Sequence, residues 1–366
     1  MDAQKHICLV AGAMTNGGIR RVLLVLAKVF LARGHRVDLV LTNHAELTLE
    51  LPDGLNVVRL GTRTRKSLPH AVRYLSENRP DAVISGRVYT DLLFLAAKLL
   101  SRQKHCRLIW TFHTEQTMEL AHQSVPMKLL MRCAYRLSPL TDVCVAVSKG
   151  VARDLMRYVP KAARIEVIYN PVAPLGATPA LCPDHPFWLQ KDVPIMLSVG
   201  RLVPQKDHAL LLRVFAELRA QRPLKLFICG DGPLRGALEI LAVKTGYAQD
   251  ICFAGHLPNL EPYMTNADVF VSTSRWEGFG LAIAEALAAG CPVVATDCPS
   301  GPAEILDHGR LGHLVPLGDK DGLIQAISET INAPKAASHG PETLSAYDPD
   351  RVADAYLDLM ERFSKQ

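Results

Sequence analysis

Residues 269–297 read VFVSTSRWEGFGLAIAEALAAGCPVVATD, and the fold follows from the way this stretch changes character. Val269 to Ser272 predicts a buried strand, Leu281 to Ala289 is rich in Ala and Leu and predicts a helix, and Pro292 to Ala295 predicts a second buried strand. Gly278 and Gly280 free the loop backbone for unusual dihedrals and let a ligand approach closely. The first amides of the following helix point back at that loop and favour an anion. Glu285 falls in the helix's second turn on an otherwise apolar stretch, where an unpartnered carboxylate is costly. Glu277 and Glu285, eight residues apart, can bracket a polyhydroxylated ligand whose charged group lies between them. A nucleotide sugar fits that description.

The same alternation runs along the chain. In the first half, strand-like runs fall at 6–10, 37–41, 57–60, 82–85, 108–112, 143–147 and 165–168, and helical patterns are clearest at 18–33, 90–102, 126–137 and 149–158. In the second half, strands are predicted at 195–199, 225–229, 251–254, 269–272, 293–295 and 312–315, and a final helical pattern covers 351–363. Apolar strands alternating with helices imply parallel sheets covered on both faces. Six prolines between 171 and 194 break the pattern. A chain of 366 residues exceeds what one core usually serves, so the expected fold is α/β with two Rossmann-like, doubly wound domains facing a cleft. Their expected bounds are 1–173 and 191–345, joined by a linker at 174–190, with the C-terminal helix 351–366 packing back on the first domain. Open sheets bind ligands at strand C-terminal ends, which makes the cleft the expected site.

With 49% hydrophobic and 21% charged residues, the composition is that of an ordinary globular protein. Nine cysteines without a C-x-x-C pair suit a reducing compartment, and Cys8, Cys144, Cys229 and Cys252 are expected as buried small hydrophobes. The apolar start at 7–14 is too short for a signal peptide, and 22–32, which contains Lys28, falls short of the roughly 18 apolar residues of a membrane span. A cytoplasmic location is expected. Charge divides unevenly: residues 1–173 hold 25 Lys and Arg against 13 Asp and Glu, net +12, and the remainder holds 16 against 23, net −7.

Glu277 and Glu285, inside SRWEGFGLAIAEALAAG, resemble the E-x7-E signature of the retaining glycosyltransferases called family four, which have the GT-B fold. Gly200-Arg201-Leu202 with Lys206 is similar to that family's G-R-L-x-x-x-K motif, and Gly230-Asp231-Gly232-Pro233 to its G-x-G-P turn. Gly17 and Gly18 match its first Gly-Gly loop, and His113, at a strand end, matches its cleft histidine. The resemblance implies transfer of a hexose or N-acetylhexosamine from a nucleoside diphosphate sugar, UDP-sugar first, to a lipid-linked or lipopolysaccharide-type glycan, with retention of configuration. It implies catalytic roles for His113, Arg201, Lys206 and Glu277, and donor binding by Gly17, Gly18, Gly232, Gly278, Phe279, Gly280, Leu281 and Glu285. Arg201 and Lys206 would oppose charge on the departing diphosphate. Asp348-Pro349-Asp350 is similar to the D-x-D of metal-dependent glycosyltransferases of another fold, but its place before the last helix makes it a cap. Neither metal nor other cofactor is expected.

The helix 127–137 sets Lys128, Arg132 and Arg136 on one face and Met127, Leu130, Met131, Ala134 and Leu137 on another. With Arg63, Arg65 and Lys66, this basic face suggests an acceptor site or an anionic membrane surface, peripheral at the inner face of the plasma membrane. Two rivals stand beside the transferase: a UDP-sugar epimerase of the same fold, which would isomerise its substrate without an acceptor, and a non-catalytic polyanion binder. Aromatics make up 6% of the chain and are not interleaved with the basic residues, so no nucleic-acid partner is expected.

Overall fold

The structure, a computed structural model, describes residues 3–12, 18–43, 51–61, 66–172, 183–189, 193–333 and 341–362. The chain divides into two units: residues up to Pro171 together with those from Ala346 on, and Val172–Ser345.

The first unit's strands are β1 His6–Ala11, β2 Arg36–Leu41, β3 Asn56–Arg59, β4 Ala82–Ser85, β5 Arg107–Phe112, β6 Val143–Ala146 and β7 Ile165–Val167. They pair in parallel in the order β3-β2-β1-β4-β5-β6-β7. Helices α1 Gly18–Ala32, α2 Leu68–Asn78, α3 Val88–Ser101, α4 Gln116–His122, α5 Val125–Leu137 and α6 Lys149–Leu155 connect them. Central strands β4 and β6 are buried along their whole length, as the apolar runs AVIS and VCVA require in a sheet covered on both faces.

The second unit repeats this plan. Its strands are β8 Ile195–Val199, β9 Lys225–Cys229, β10 Ile251–Gly255, β11 Val269–Ser272, β12 Val293–Asp297 and β13 His313–Pro316, in the parallel order β10-β9-β8-β11-β12-β13. Its helices are α7 Pro186–Leu189, α8 His208–Gln221, α9 Arg235–Lys244, α10 Glu261–Asn266, α11 Leu281–Ala288, α12 Pro302–Ile305 and α13 Lys320–Asn332. Short α7 drives Trp188, 2% exposed, edge-on against Phe227 and Tyr263 at centroid distances of 5.4 and 5.6 Å. Strand order reverses between β1 and β4 in one unit and between β8 and β11 in the other, and such switch points open a crevice at the strand C-termini.

The last helix, α14 Pro349–Arg362, packs on α1 in the first unit. Arg33 of the α1 end pairs with Asp354 and, at 2.9 Å, with Asp350, while Lys5 meets Glu361 at 3.1 Å. Asp348 Oδ1 accepts from the amides of Asp350 and Arg351 at 3.0 and 3.1 Å, so the Asp-Pro-Asp string caps this helix.

Two sequence expectations need correction. Cys8, Cys144 and Cys229 are buried, but Cys252 is half-buried because β10 is an edge strand. In α5 the buried residues are Met131, Ala134 and Tyr135, whereas Leu137 is 38% exposed. Tyr135 is buried in its place, and its hydroxyl donates to Gln116 Oε1 at 2.6 Å.

Within the first unit, Asp38 is fully buried. It accepts from His6 Nε2 at 2.8 Å, the Tyr74 hydroxyl at 2.7 Å and Asn56 Nδ2 at 3.0 Å. Burial alone would push the carboxyl up, but those donors outweigh it and hold Asp38 at about 2 against its usual 3.8. A carboxyl depressed in the folded state adds stability above its unfolded pKa and loses it as pH falls through the folded one. Tyr74→Phe is expected to cost about 1.5–3 kcal/mol of unfolding free energy at neutral pH, measured in urea, with the deficit shrinking as pH drops from about 4 to about 2. An equal deficit across that range would show that Tyr74 does not support a charged Asp38.

Candidate active site

In the second unit, the loops that follow β8 and β11 lie at the switch point and are stitched to each other. Thr273 Oγ1 donates to the carbonyls of Lys206 and Asp207 at 3.0 and 3.1 Å. Gln205 Nε2 donates to the Trp276 carbonyl at 2.8 Å, and the Arg275 amide returns a bond to the Gln205 carbonyl at 2.8 Å. Arg275 Nε also reaches Asp207 Oδ2 at 2.8 Å. Asp207 adopts a left-handed conformation (φ 44) and accepts from the Leu210 amide, so the loop after β8 ends as the cap of α8.

Two predicted residues meet inside this stitching. Lys206 Nζ lies 2.5 Å from Glu277 Oε1, and Ser274 Oγ donates to the same oxygen at 2.7 Å. Glu277 is 6% exposed, Ser274 1%. The Ser274 carbonyl in turn accepts from Thr296 Oγ1 at 2.6 Å, which fixes the loop to β12. Arg201, exposed one residue after Gly200, makes no side-chain hydrogen bond or ion pair among the described residues, so the structure does not bring it to the same pair.

Backbone crowding explains the glycines around these loops. A Cβ on Gly230, whose φ is +130, would fall 2.0 Å from the Gly200 carbonyl oxygen, and one on Gly232 would fall 2.5 Å from that of Leu202. Gly301 lies equally close to Phe279, since its Cβ would stand 1.9 Å from the Phe279 carbonyl oxygen. Gly278 and Phe279 are buried, and Gly280, at φ +95, supplies the turn into α11, with Leu281 as that helix's first residue. Glu285 is 7% exposed in the second turn of α11.

In the first unit, His113 follows β5. Its Nε2 lies 2.9 Å from Thr111 Oγ1, and its buried Nδ1 has no hydrogen-bond partner among the described residues. Burial, then the charge of Arg87, pushes the imidazole down to about 4, so the ring is neutral at physiological pH. Gly86, before Arg87, leaves room for it, because a Cβ there would lie 2.9 Å from Nε2. Gly18 opens α1, while Gly17, Arg63 and Arg65 lie outside the described residues. Lys66, Arg132 and Arg136 are exposed. Half-buried Lys128 turns its Nζ toward the Ala121 carbonyl, 3.5 Å away.

Sequence reading singled out Glu277 and Lys206 but not Ser274, Gln205, Thr273 or Gly86, which hold or admit the predicted side chains. Only Ser274, three residues before Glu277 in the same loop, left a local signal. The described residues contain no group of three His, Cys, Asp or Glu side chains able to hold a metal ion.

Both halves of the chain resemble known glycosyltransferases. Residues 185–340 match the family model Glycosyl transferases group 1, and residues 16–174 match Glycosyltransferase Family 4. The chain is 33% identical over 174 residues to the lipopolysaccharide core biosynthesis glycosyltransferase LpsE of Rhizobium meliloti, covering 46% of this chain and 50% of that one. It is 31% identical over 200 residues to a Campylobacter jejuni N-acetylgalactosaminyltransferase named for a diphospho-undecaprenol acceptor, covering 54% and 53%. The matched regions thus span about half the length of these relatives. Among solved structures, Anabaena HepE in complex with UDP-glucose superposes with a TM-score of 0.80 at 18% identity, covering 99% of this chain and 100% of that one. The chain has the GT-B fold and is built from glycosyltransferase domains, a Family 4 domain followed by a group 1 domain.

Proposed function

We propose that this chain is a retaining glycosyltransferase that moves a hexose or N-acetylhexosamine from a UDP-sugar to a lipid-linked or lipopolysaccharide-type glycan. The observation that carries the reading is the meeting of Lys206 and Glu277 at the second unit's switch point, beside the α11 N-terminus. A diphosphate there would find a cation on a four-carbon stem and a helix end that favours negative charge. Arg201, before Lys206 in the same loop, is a second, exposed cation. Glu277 would accept hydroxyls of the transferred sugar and Glu285 those of the ribose, and the E-x7-E pair supports retention. His113 is assigned to the sugar near the reacting carbon; as a neutral ring it would act through hydrogen bonds. The names of the LpsE and Campylobacter relatives support a lipopolysaccharide or undecaprenol-linked acceptor, and HepE's complex supports UDP.

We also read the exposed side of α5 as the face that meets an anionic membrane. Val125 is 79% exposed and Leu129 64%, and Leu140 just beyond the helix is 54% exposed, interleaved with exposed Arg132 and Arg136. No carboxylate occurs from 92 to 114 or from 120 to 141. Apolar side chains among arginines, on a stretch of sequence without carboxylates, suit insertion between anionic headgroups.

Thermal-shift titration with UDP-sugars should raise the melting temperature with log concentration, and absence of any nucleotide-dependent shift would remove the donor reading. Lys206→Ala should lower kcat by roughly 10²-fold or more, as loss of a preorganised charge does, and an unchanged kcat would exclude Lys206 from the chemistry. Glu285→Ala should mainly weaken UDP binding, by about 1.5–3 kcal/mol, and a variant that binds UDP like the parent contradicts the ribose role. Phosphatidylglycerol vesicles should sediment the parent at low salt and release it at high salt, each cation contributing about 1 kcal/mol. Replacing Lys128, Arg132 and Arg136 with Gln should release it already at low salt, and equal sedimentation of parent and variant would refute the α5 face.

A further inference from the structure

Lys206 and Glu277 have competing uses. Each is assigned to a different part of the donor, yet they are bonded to each other at 2.5 Å. The backbone around them is held: Thr273 fixes the Lys206 carbonyl, Gln205 fixes that of Trp276, and the Glu277 amide donates to the Pro299 carbonyl at 3.1 Å. The pair therefore opens by swinging the lysine side chain, whose stem lies along Gly200, with Cδ and Cε 3.3 Å from where a Cβ would stand. Opening it leaves Glu277, 6% exposed, with the Ser274 hydroxyl as the remaining donor on its Oε1.

We propose that Glu277 competes with the diphosphate for Lys206, and that this competition makes the site favour a nucleotide that still carries its sugar over the spent nucleoside diphosphate. The proposal rests on the donor-site reading above. A nucleoside diphosphate alone draws Lys206 away and strands a buried carboxylate, which is costly. A nucleotide sugar draws Lys206 to its diphosphate while its sugar hydroxyls replace the lysine at Glu277. Once the sugar has been transferred, Glu277 lacks those hydroxyls and takes Lys206 back, which loosens the nucleotide. Glu277 is thus a specificity-determining residue as well as a sugar contact, and Ser274 sets how strongly it pulls.

The test is calorimetric titration of UDP, ADP and GDP, and of their glucose conjugates, into parent, Glu277→Gln, Ser274→Ala, Lys206→Ala and the double variant Lys206→Ala/Glu277→Gln. Glu277→Gln should bind the preferred nucleoside diphosphate about tenfold more tightly than the parent, the lower end of what a charge-assisted hydrogen bond contributes, and its sugar conjugate no more tightly. Ser274→Ala should bind the nucleoside diphosphate several-fold more weakly, because Glu277 then depends on Lys206 alone; it gives a second reading should the Gln variant not fold. In the Lys206→Ala background the Glu277→Gln gain should vanish. Equal or weaker nucleotide binding by Glu277→Gln overturns the competition, as does a gain that persists without Lys206, which would reduce the effect to general charge removal. If the parent binds neither the nucleotides nor their conjugates, the donor-site reading itself falls.

Discussion

A carboxylate leaves water only where other groups take over its solvation, and that constraint shapes the second unit's loops. Glu277 is nearly excluded from solvent, and its oxygen is met by a lysine from one loop and a serine from its own. The lysine would not be in place if the loops after β8 and β11 were independent. The cross-bonds of Gln205, Thr273 and Arg275 turn two loops into one rigid piece, so the cost of burying charge is met by groups ordered on folding rather than at binding. Pre-ordered charges are what a site needs to stabilise a departing diphosphate, because they require no reorganisation when the bond breaks.

The glycines serve the same rigidity. Gly230, Gly232 and Gly301 each bring backbone to within a distance at which any side chain would overlap a carbonyl oxygen. Four loops from four strand ends can therefore pack against one another without intervening side chains. The polar surface left at the switch point is backbone and a few chosen side chains, which suits recognition of a charged, hydroxyl-rich ligand at close range.

Much of this architecture was legible in the sequence because the strands of a parallel sheet are buried on both faces. Runs such as LFIC in β9 and VFVS in β11 are apolar throughout, so their positions are readable from local composition. Glu285 stood out for a related reason, being a charge on an otherwise apolar helix. What the sequence could not display is contact between distant segments. Gln205 and Trp276 are 71 residues apart, and nothing local marks their bond. The α5 face was misjudged in part on similar grounds: the apolar set from Met127 to Leu137 included Leu137 and left out Tyr135, whose buried hydroxyl bonds to Gln116, 19 residues earlier. Short α7 went unseen because prolines mask periodicity, although Phe187 and Trp188 both pack it against Phe227 of β9.

The first unit partners buried Asp38 in the same manner but answers the constraint differently at one end of its sheet. At the ends of β4 and β5, buried titratable groups are neutralised instead of paired. Burial pushes the Asp91 carboxyl up to about 8 while Ser85 Oγ donates to it at 2.5 Å, and burial together with Arg87 pushes His113 down to about 4. Between those two pH values both groups are uncharged, and Arg87, exposed at the α3 cap, carries charge beside them. Neutral donors and acceptors exchange hydrogen bonds with hydroxyls at little desolvation cost, whereas a buried imidazolium or carboxylate would bind counter-ions first. The first unit thus handles buried titratable groups in two ways, keeping Asp38 charged among its donors and leaving Asp91 and His113 neutral.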